Sequence, residues 1–181
     1  DVYKRQVTED GLTGNSTIKA LIRGLQIEAG VKVDGVLGSG SLAAIGTISP
    51  SLDTSVQTNR NKVYIAQGGL YCKGYNPKGF DGIYGSGMIE KVREFETDAG
   101  FISTTGNITP KLLKAILNTE NFRLDEEKGD HQIRTIQQAL NRSYSNYMDL
   151  IPCNGIYGKF TNKGLIRALQ HEIGETVAVS Y

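Results

Sequence analysis

Apolar residues recur three and four positions apart in three stretches of the chain. This spacing places them on one face of an amphipathic helix. Each stretch follows a glycine and ends at another glycine, where a left-handed C-terminal cap is expected. The apolar positions are Ile18, Leu21, Ile22 and Leu25 between Gly14 and Gly30; Ile89, Val92, Phe95 and Ala99 between Gly85 and Gly100; and Leu165, Ile166, Leu169 and Ile173 between Gly158 and Gly174.

A short glycine motif precedes each of these helices and occurs once more between the first two. It reads Asp or Asn, Gly, an aliphatic residue, any residue, Gly. The four copies are Asp10, Gly11, Leu12 and Gly14; Asp34, Gly35, Val36 and Gly38; Asp81, Gly82, Ile83 and Gly85; and Asn154, Gly155, Ile156 and Gly158. The side chain at the first position can hold a tight turn, and the last glycine can cap the next helix.

The physics of the motif favours a structural role. The first glycine takes a conformation closed to other residues. We expect the aliphatic residue to point inward as a plug, which would contribute ~1.5–3 kcal/mol if it is fully buried. For Asp10, Asp34, Asp81 and Asn154, turn formation is the favoured interpretation, and ligand contact is the alternative.

The motif recurs with a period of about 72 residues, which indicates a repeated unit. The middle unit is complete: a helix over about 63–72, the loop, the second helix, a second loop over 104–108 and a third helix over 112–117. Thr109 can cap that third helix, with Pro110 in its first turn. The predicted fold is therefore all-α, with tandem small three-helix modules joined by short linkers.

We expect unit one over residues 7–48, unit two over 58–119 and unit three over 130–181. Unit one would lack its opening helix and unit three its C-terminal part. Residues 1–6 resemble the translated end of a transposon used to prepare sequencing libraries, so we expect them to be a scar outside the fold. A signal peptide cannot be judged in a fragment.

Composition excludes some partners. The formal net charge is +1, which gives no electrostatic footprint for nucleic acid or an acidic membrane surface. No apolar run approaches the ~18 residues needed to insert across a bilayer. Cys72 and Cys153 are too few for a disulfide framework, and we expect both to be small buried side chains.

The chain offers little chemistry for catalysis. His131 and His171 are its only histidines, and no third ligand is spaced to complete a zinc site. We expect both to be surface or packing residues, and the acidic run 125–127 to be a solvated linker. The sequence therefore predicts no metal, no cofactor and no enzyme activity in this chain.

The middle unit resembles the peptidoglycan-binding domain family, a small three-helix module attached to many cell-wall hydrolases. The residues that carry the resemblance are Gln67, Leu70, Gly74, Tyr75, Asn76, Pro77, 80–85, Val92, Phe95, Glu96, Ala99 and Gly100. Met88 departs from a frequent threonine, and Thr105 replaces the aspartate of the second loop. The paired arrangement also resembles modules attached to a glycoside-hydrolase-like domain in Gram-positive and phage wall proteins, and the resemblance implies an endolysin-like catalytic domain outside this chain.

The resemblance implies that the chain binds peptidoglycan, both its glycan and its stem peptide. Such a ligand needs hydroxyl and amide partners and an aromatic face. The candidate ligand-binding residues are Tyr75, Asn76, Asp81, Tyr84, Asn154, Tyr157 and Lys159. For each tyrosine, the alternative is a ring that packs on its own helix with only the hydroxyl exposed.

We expect a monomeric, non-catalytic targeting protein at the bacterial cell wall, outside the cell. Repeated weak sites would gain avidity on a polymer. One alternative is a structural spacer or protein-interaction array without carbohydrate binding. A weaker alternative is an enzyme whose site lies between the repeats.

Overall fold

The computed structural model describes residues 14–174, and this part of the chain contains seven helices and no strand. The helices are α1 (Asn15–Glu28), α2 (Ser39–Ile45), α3 (Gln57–Cys72), α4 (Ser86–Asp98), α5 (Pro110–Ile116), α6 (His131–Tyr144) and α7 (Lys159–Glu172). The all-α prediction is confirmed. None of the described helices has the length and apolar character that a membrane span requires. Residues 1–6, Asp10, Gly11 and Leu12 lie outside the described residues, as does 175–181.

The helix ends follow the predicted glycines and caps. Gly14, Gly38, Gly85 and Gly158 are the N-cap residues of α1, α2, α4 and α7. Thr109 accepts a hydrogen bond from the Leu112 amide at the start of α5, and Pro110 occupies the first turn. After α1, α4 and α7 the chain passes through Gly30, Gly100 and Gly174 at φ +66°, +102° and +75°. These are left-handed conformations that favour glycine.

Units one and two share a single hydrophobic core. Helix α1 packs across α3, and α2 packs against α5. Ala66, Leu70, Val92 and Phe95 are fully buried in this core, which also contains residues of α1. An isolated antiparallel bridge joins Ile48 to Ile108, with N···O distances of 3.0 and 2.8 Å. The two units therefore form one packed body.

Small residues allow α1 and α3 to approach closely. A Cβ atom at Gly24 would lie 3.0 Å from Ile65 Cδ1, and one at Gly68 would lie 3.4 Å from Leu21 Cδ2. The Asn61 amide also donates to Glu28 Oε1 at 2.8 Å. At Gly24 even a methyl group would require Ile65 to shift, so this position keeps the two helices close.

Helices α6 and α7 pack around a second, smaller core. Its buried residues are Leu140, Met148, Ile151 and Ala168, with Tyr144 and Phe160 packed against them. Leu150 and Cys153 of unit three belong to the shared core, and polar contacts also join the two cores. Arg134 donates to Asp98 Oδ1 at 2.6 Å, and the buried Asn141 amide donates to Ala99 O at 3.0 Å.

The predicted apolar face of α7 is exposed, which differs from its counterpart on α1. Leu165, Ile166, Leu169 and Ile173 all face solvent, while Ile22 and Leu25 of α1 are buried. The side of α7 that is buried carries Thr161, Gly164 and Ala168. The difference arises because α1 is covered by α2 and α3, and no element within residues 14–174 covers that face of α7.

The two cysteines are free, and only Cys153 is buried. Burial raises the pKa of its thiol to about 12, so it behaves as an inert packing residue. Cys72 is only half-buried, so the expectation of burial is wrong for that residue. The unit boundaries 7–48, 58–119 and 130–181 stay predictions.

Candidate ligand-binding surface around the clamped loops

A buried glutamine holds the loop of unit two. Gln67 lies on α3, and its Oε1 accepts hydrogen bonds from the amides of Asp81 and Gly82 at 3.2 and 3.0 Å. Its Nε2 donates to Asp81 Oδ1 at 2.9 Å and to the Ile83 carbonyl at 3.1 Å. One side chain therefore satisfies four polar groups of the turn, and Gly82 passes through it at φ +70°.

The other two glycine-motif loops within residues 14–174 are held in the same way. Gln26 of α1 accepts from Gly35 N at 2.8 Å and donates to Asp34 Oδ1 at 2.8 Å. Gln137 of α6 accepts from Gly155 N at 2.9 Å and donates to the Ile156 carbonyl at 3.0 Å. We call these three side chains, Gln26, Gln67 and Gln137, the glutamine clamps.

The second loop of unit two uses a glutamate instead. Glu96 of α4 accepts from Thr105 Oγ1 at 2.9 Å and from Gly106 N at 2.8 Å. The use of glutamate in place of glutamine follows from donor and acceptor chemistry. An Asp or Asn oxygen in the loop needs a donor from the helix, which glutamine supplies, and a threonine hydroxyl can itself donate to a carboxylate.

The sequence contains a signal for these clamps apart from the glycine motif. Gln26, Gln67 and Gln137 are polar residues within or beside the apolar face of a helix that precedes a glycine loop. A buried amide needs hydrogen-bond partners, so a glutamine in that position indicates a nearby backbone to bind.

The predicted inward plug is wrong in all three described loops. Val36, Ile83 and Ile156 are 63%, 52% and 38% exposed. The carbonyl of each points inward to accept the clamp amide, as the bonds to Ile83 and Ile156 show, so the side chain points outward. The following residue turns inward instead in the first two loops, and Leu37 and Tyr84 are each 6% exposed.

Tyr84 and Tyr75 do not present aromatic faces to a ligand. The Tyr84 hydroxyl donates to the Gly106 carbonyl at 2.8 Å, so it ties the two loops of unit two together. The fully buried Tyr75 packs edge-on against Phe95 and donates to Asp98 Oδ2 at 2.7 Å. Burial raises the pKa of both phenols far above the usual value. Both tyrosines are therefore packing residues, which corrects their assignment as ligand groups.

The remaining polar candidates on the loops form turns. Asp81 Oδ1 accepts from Ile83 N at 2.9 Å, and Asn154 Oδ1 accepts from Ile156 N at 3.0 Å. The bond from Gln67, followed by that from the Ile83 amide, lowers the pKa of Asp81. Asn76 is exposed, and its Oδ1 accepts from Lys78 N at 2.9 Å. Their contact with a ligand stays a prediction.

Tyr157 and Lys159 lie at the start of α7 and are open to solvent. The Tyr157 side chain is 59% exposed, unlike its counterpart Tyr84. Lys159 Nζ lies 4.9 Å from the ring centre of Phe160. These two residues keep the exposure that a ligand contact requires, and the contact itself stays a prediction.

Three aromatic rings form an exposed cluster on unit two, which we call the aromatic patch: Tyr64, Tyr71 and Phe80. Each is about half exposed. The ring centres of Tyr71 and Phe80 are 5.2 Å apart, and those of Tyr64 and Phe80 are 6.4 Å apart, both edge-on. Two of the rings come from the outer side of α3 and the third from the clamped loop. Their placement could have been inferred, because Tyr64 and Tyr71 are seven residues apart and off the face of Val63, Ala66 and Leu70.

The histidines lie outside any metal-binding cluster in the described part of the chain. No group of three or more His, Cys, Asp or Glu side chains there could hold an ion. His131 is exposed, and the His171 ring stacks on Tyr147 with centres 3.6 Å apart. This agrees with the expected surface and packing roles.

Comparison with known families assigns the unit that carries the aromatic patch to a domain family. Residues 59–116 match the model of the peptidoglycan binding domain family. Residues 126–179 match the model of the FadG/YbfG PGDB-like domain. The chain contains peptidoglycan-binding-like domains. The match to 59–116 includes the clamp Gln67, both loops of unit two and the whole patch.

Two Bacillus subtilis (strain 168) proteins are similar to nearly the whole chain. The uncharacterized protein YbfG is 41% identical over 175 residues, which cover 96% of this chain and 24% of YbfG. The uncharacterized protein FadG is 38% identical over 171 residues, which cover 93% of this chain and 29% of FadG. The chain thus spans about a quarter of the length of these relatives. No solved structure matches it significantly.

Proposed function

We propose that this chain is a non-catalytic targeting segment that binds peptidoglycan through the aromatic patch of its 59–116 domain. The observation that carries the proposal is the coincidence of two findings. Residues 59–116 match a peptidoglycan-binding family, and the exposed rings of that domain lie beside its clamped loop. In this proposal the chain acts as a monomer outside the cell, at the wall, and serves an attached wall hydrolase.

The patch has the chemistry that a glycan requires. Sugar rings present C–H faces that pack on aromatic rings, and hydroxyl and acetamide groups that need hydrogen bonds. Phe80 supplies an apolar face, and Tyr64 and Tyr71 supply rings with phenol groups at their edge. Asp81 and Asn76 are exposed polar groups on the same loop segment.

Rigid positioning supports binding at a shallow surface. Phe80 immediately precedes Asp81, whose amide and carboxylate are both bonded to Gln67. Because the loop is held before the ligand arrives, less conformational entropy is lost on binding. Weak contacts at such a site therefore suffice for wall binding when the site is repeated.

Tyr157 and Lys159 would form a second, smaller contact in unit three. Two linked weak sites on one polymer rebind at a high local concentration, which can raise avidity by ~10²–10⁴ when the geometry allows both to engage. This gain in avidity is a functional reason for the chain to contain the loop more than once.

The alternative of a structural spacer is favoured by one observation, the core that units one and two share. A shared core makes a stiff body that could hold an attached domain at a fixed distance. A spacer has no affinity for the wall, so a binding experiment separates the two functions.

The test is cosedimentation of the chain with purified, insoluble peptidoglycan sacculi. We expect Tyr71→Ala combined with Phe80→Ala to lower the affinity about thirtyfold, since each exposed ring contributes on the order of 1 kcal/mol. Ile102→Ala is the matched control, because Ile102 is 81% exposed and lies outside the patch. Helical circular dichroism should be unchanged in both variants.

Two results would count against this function. A wild-type chain that stays in the supernatant would favour the spacer. Equal retention of wild type and of the Tyr71→Ala, Phe80→Ala variant would show that the patch is not the site.

A further inference from the structure

A cleft of about 710 Å³ lies where the three units meet. Its walls are the loop 35–37 of unit one, helix α5 of unit two, the segment 146–151 and the first turns of α7. Its volume is within the range of sites that hold small ligands. The cleft contains no residue of the aromatic patch, so it is a separate feature of the molecule.

Basic side chains dominate the charge of this cleft. Lys111 and Lys114 come from α5, and Lys163 and Arg167 come from α7. The acidic side chains in the lining are Asp149 and Glu120. We call this feature the basic cleft.

Two of the four cations are already engaged. Lys114 pairs with Asp149 at 2.8 Å, and Lys111 Nζ donates to the Met148 carbonyl at 3.2 Å. The side chains of Lys163 and Arg167 make no hydrogen bond or ion pair to any other residue between 14 and 174. They are four residues apart on α7, so their side chains lie on the same face of that helix.

The rest of the lining is apolar. Leu37, Met148, Leu150 and Ile151 contribute buried side chains, and Phe160 contributes a half-buried ring. A ligand that fits this lining combines anionic groups with small apolar groups. Burial lowers the pKa of Lys111, as expected for an ammonium group that lacks a full set of anionic partners.

We propose that the basic cleft binds the free carboxylates of a short peptide, the stem peptide of peptidoglycan. This inference rests on the proposed function and assigns the peptide part of the polymer to a site of its own. A stem peptide carries several carboxylates and small methyl side chains, which match the cations and the apolar lining. Arg167 can bind a carboxylate through two parallel N–H···O bonds, and Lys163 adds a compact charge beside it.

The experiment is calorimetric titration of the full chain with a synthetic stem pentapeptide that has free carboxylates. The same peptide with all carboxylates converted to amides is the second probe. We expect Lys163→Gln combined with Arg167→Gln to weaken binding of the first peptide about tenfold or more. The amidated peptide should bind the wild-type chain as weakly as the variant binds the charged one.

Lys19→Gln combined with Lys128→Gln is the matched control. Both lysines are exposed and outside the cleft, and this variant loses the same net charge. It should bind the charged peptide as the wild-type chain does. Equal losses in both variants would show a general charge effect and overturn the inference.

Three further outcomes would overturn it: no binding of the charged peptide, equal binding by the cleft variant and wild type, or binding of a glycerol phosphate oligomer in place of the peptide. Failure of the cleft is distinguishable from failure of the proposed function. If the wild-type chain is retained on sacculi through the aromatic patch and the peptide does not bind, the cleft inference falls and wall binding stands.

Discussion

Gln26, Gln67 and Gln137 are amides placed in apolar surroundings, and each is buried and bonded on both its oxygen and its nitrogen. A buried amide without hydrogen-bond partners would cost about 1–3 kcal/mol of stability. Between residues 14 and 174, no buried side-chain nitrogen or oxygen lacks a partner. The clamps therefore stabilise this loop conformation, since moving the loop away would take these partners from the buried amide.

The clamp geometry predicts a large loss of stability on truncating one residue and a small loss on truncating its neighbour. Tyr84 is buried, so we expect Tyr84→Ala to lower the free energy of unfolding by about 3–5 kcal/mol, through lost packing and the lost bond to Gly106. Ile83 is 52% exposed, so Ile83→Ala should cost about 0.5 kcal/mol or less. Urea denaturation followed by circular dichroism measures both. A larger loss for Ile83→Ala than for Tyr84→Ala would contradict the assignment of inward and outward positions.

Each helix–loop pair forms an element with matched hydrogen-bonding chemistry. The three glutamine-clamped loops carry Asp34, Asp81 or Asn154, and the glutamate-clamped loop carries Thr105. The two kinds of pair are complementary, because each joins one donor to one acceptor. A mixed pair of glutamate and aspartate would bring two acceptors together.

Thr105→Asp should therefore destabilise the chain, since the new carboxylate faces that of Glu96. Adding Glu96→Gln should restore part of the stability, because glutamine opposite aspartate is the kind of pair that Gln67 forms with Asp81. We expect a coupling energy of about 1–3 kcal/mol in this double-mutant cycle, measured by urea denaturation.

Ser103→Asp, alone and with Glu96→Gln, is the control cycle. Ser103 is exposed, lies just before the same loop and makes no hydrogen bond to Glu96. The effects of Ser103→Asp and Glu96→Gln on the free energy of unfolding should be additive. A coupling energy near zero at Thr105, or an equal one at Ser103, would contradict the complementary pairing.

The parts of the fold that depend on local chemistry could be predicted from the sequence. Helix periodicity, the capping glycines and the Thr109–Pro110 start are properties of neighbouring residues. The direction of Ile83 was missed because it is set by Gln67, 16 residues away. The burial of Tyr75 and Tyr84 was missed for a similar reason, since their partners Asp98 and Gly106 are 23 and 22 residues away.

At the scale of the whole molecule, the three units pack against one another. Units one and two share a core to which unit three contributes Leu150 and Cys153, and Arg134 and Asn141 add polar contacts. This packing fixes where the walls of the basic cleft stand relative to each other. It also holds the aromatic patch of unit two in a set position relative to Tyr157 and Lys159 of unit three.

The central claim is that the peptidoglycan-binding-like domain over 59–116 meets the wall polymer with its aromatic patch. The most direct test is a titration of the isotopically labelled full chain with soluble disaccharide–peptide fragments of peptidoglycan, followed by amide and aromatic NMR signals. We predict progressive shifts for Tyr64, Tyr71 and Phe80. Saturating fragments that leave the signals of all three residues in place would contradict the account.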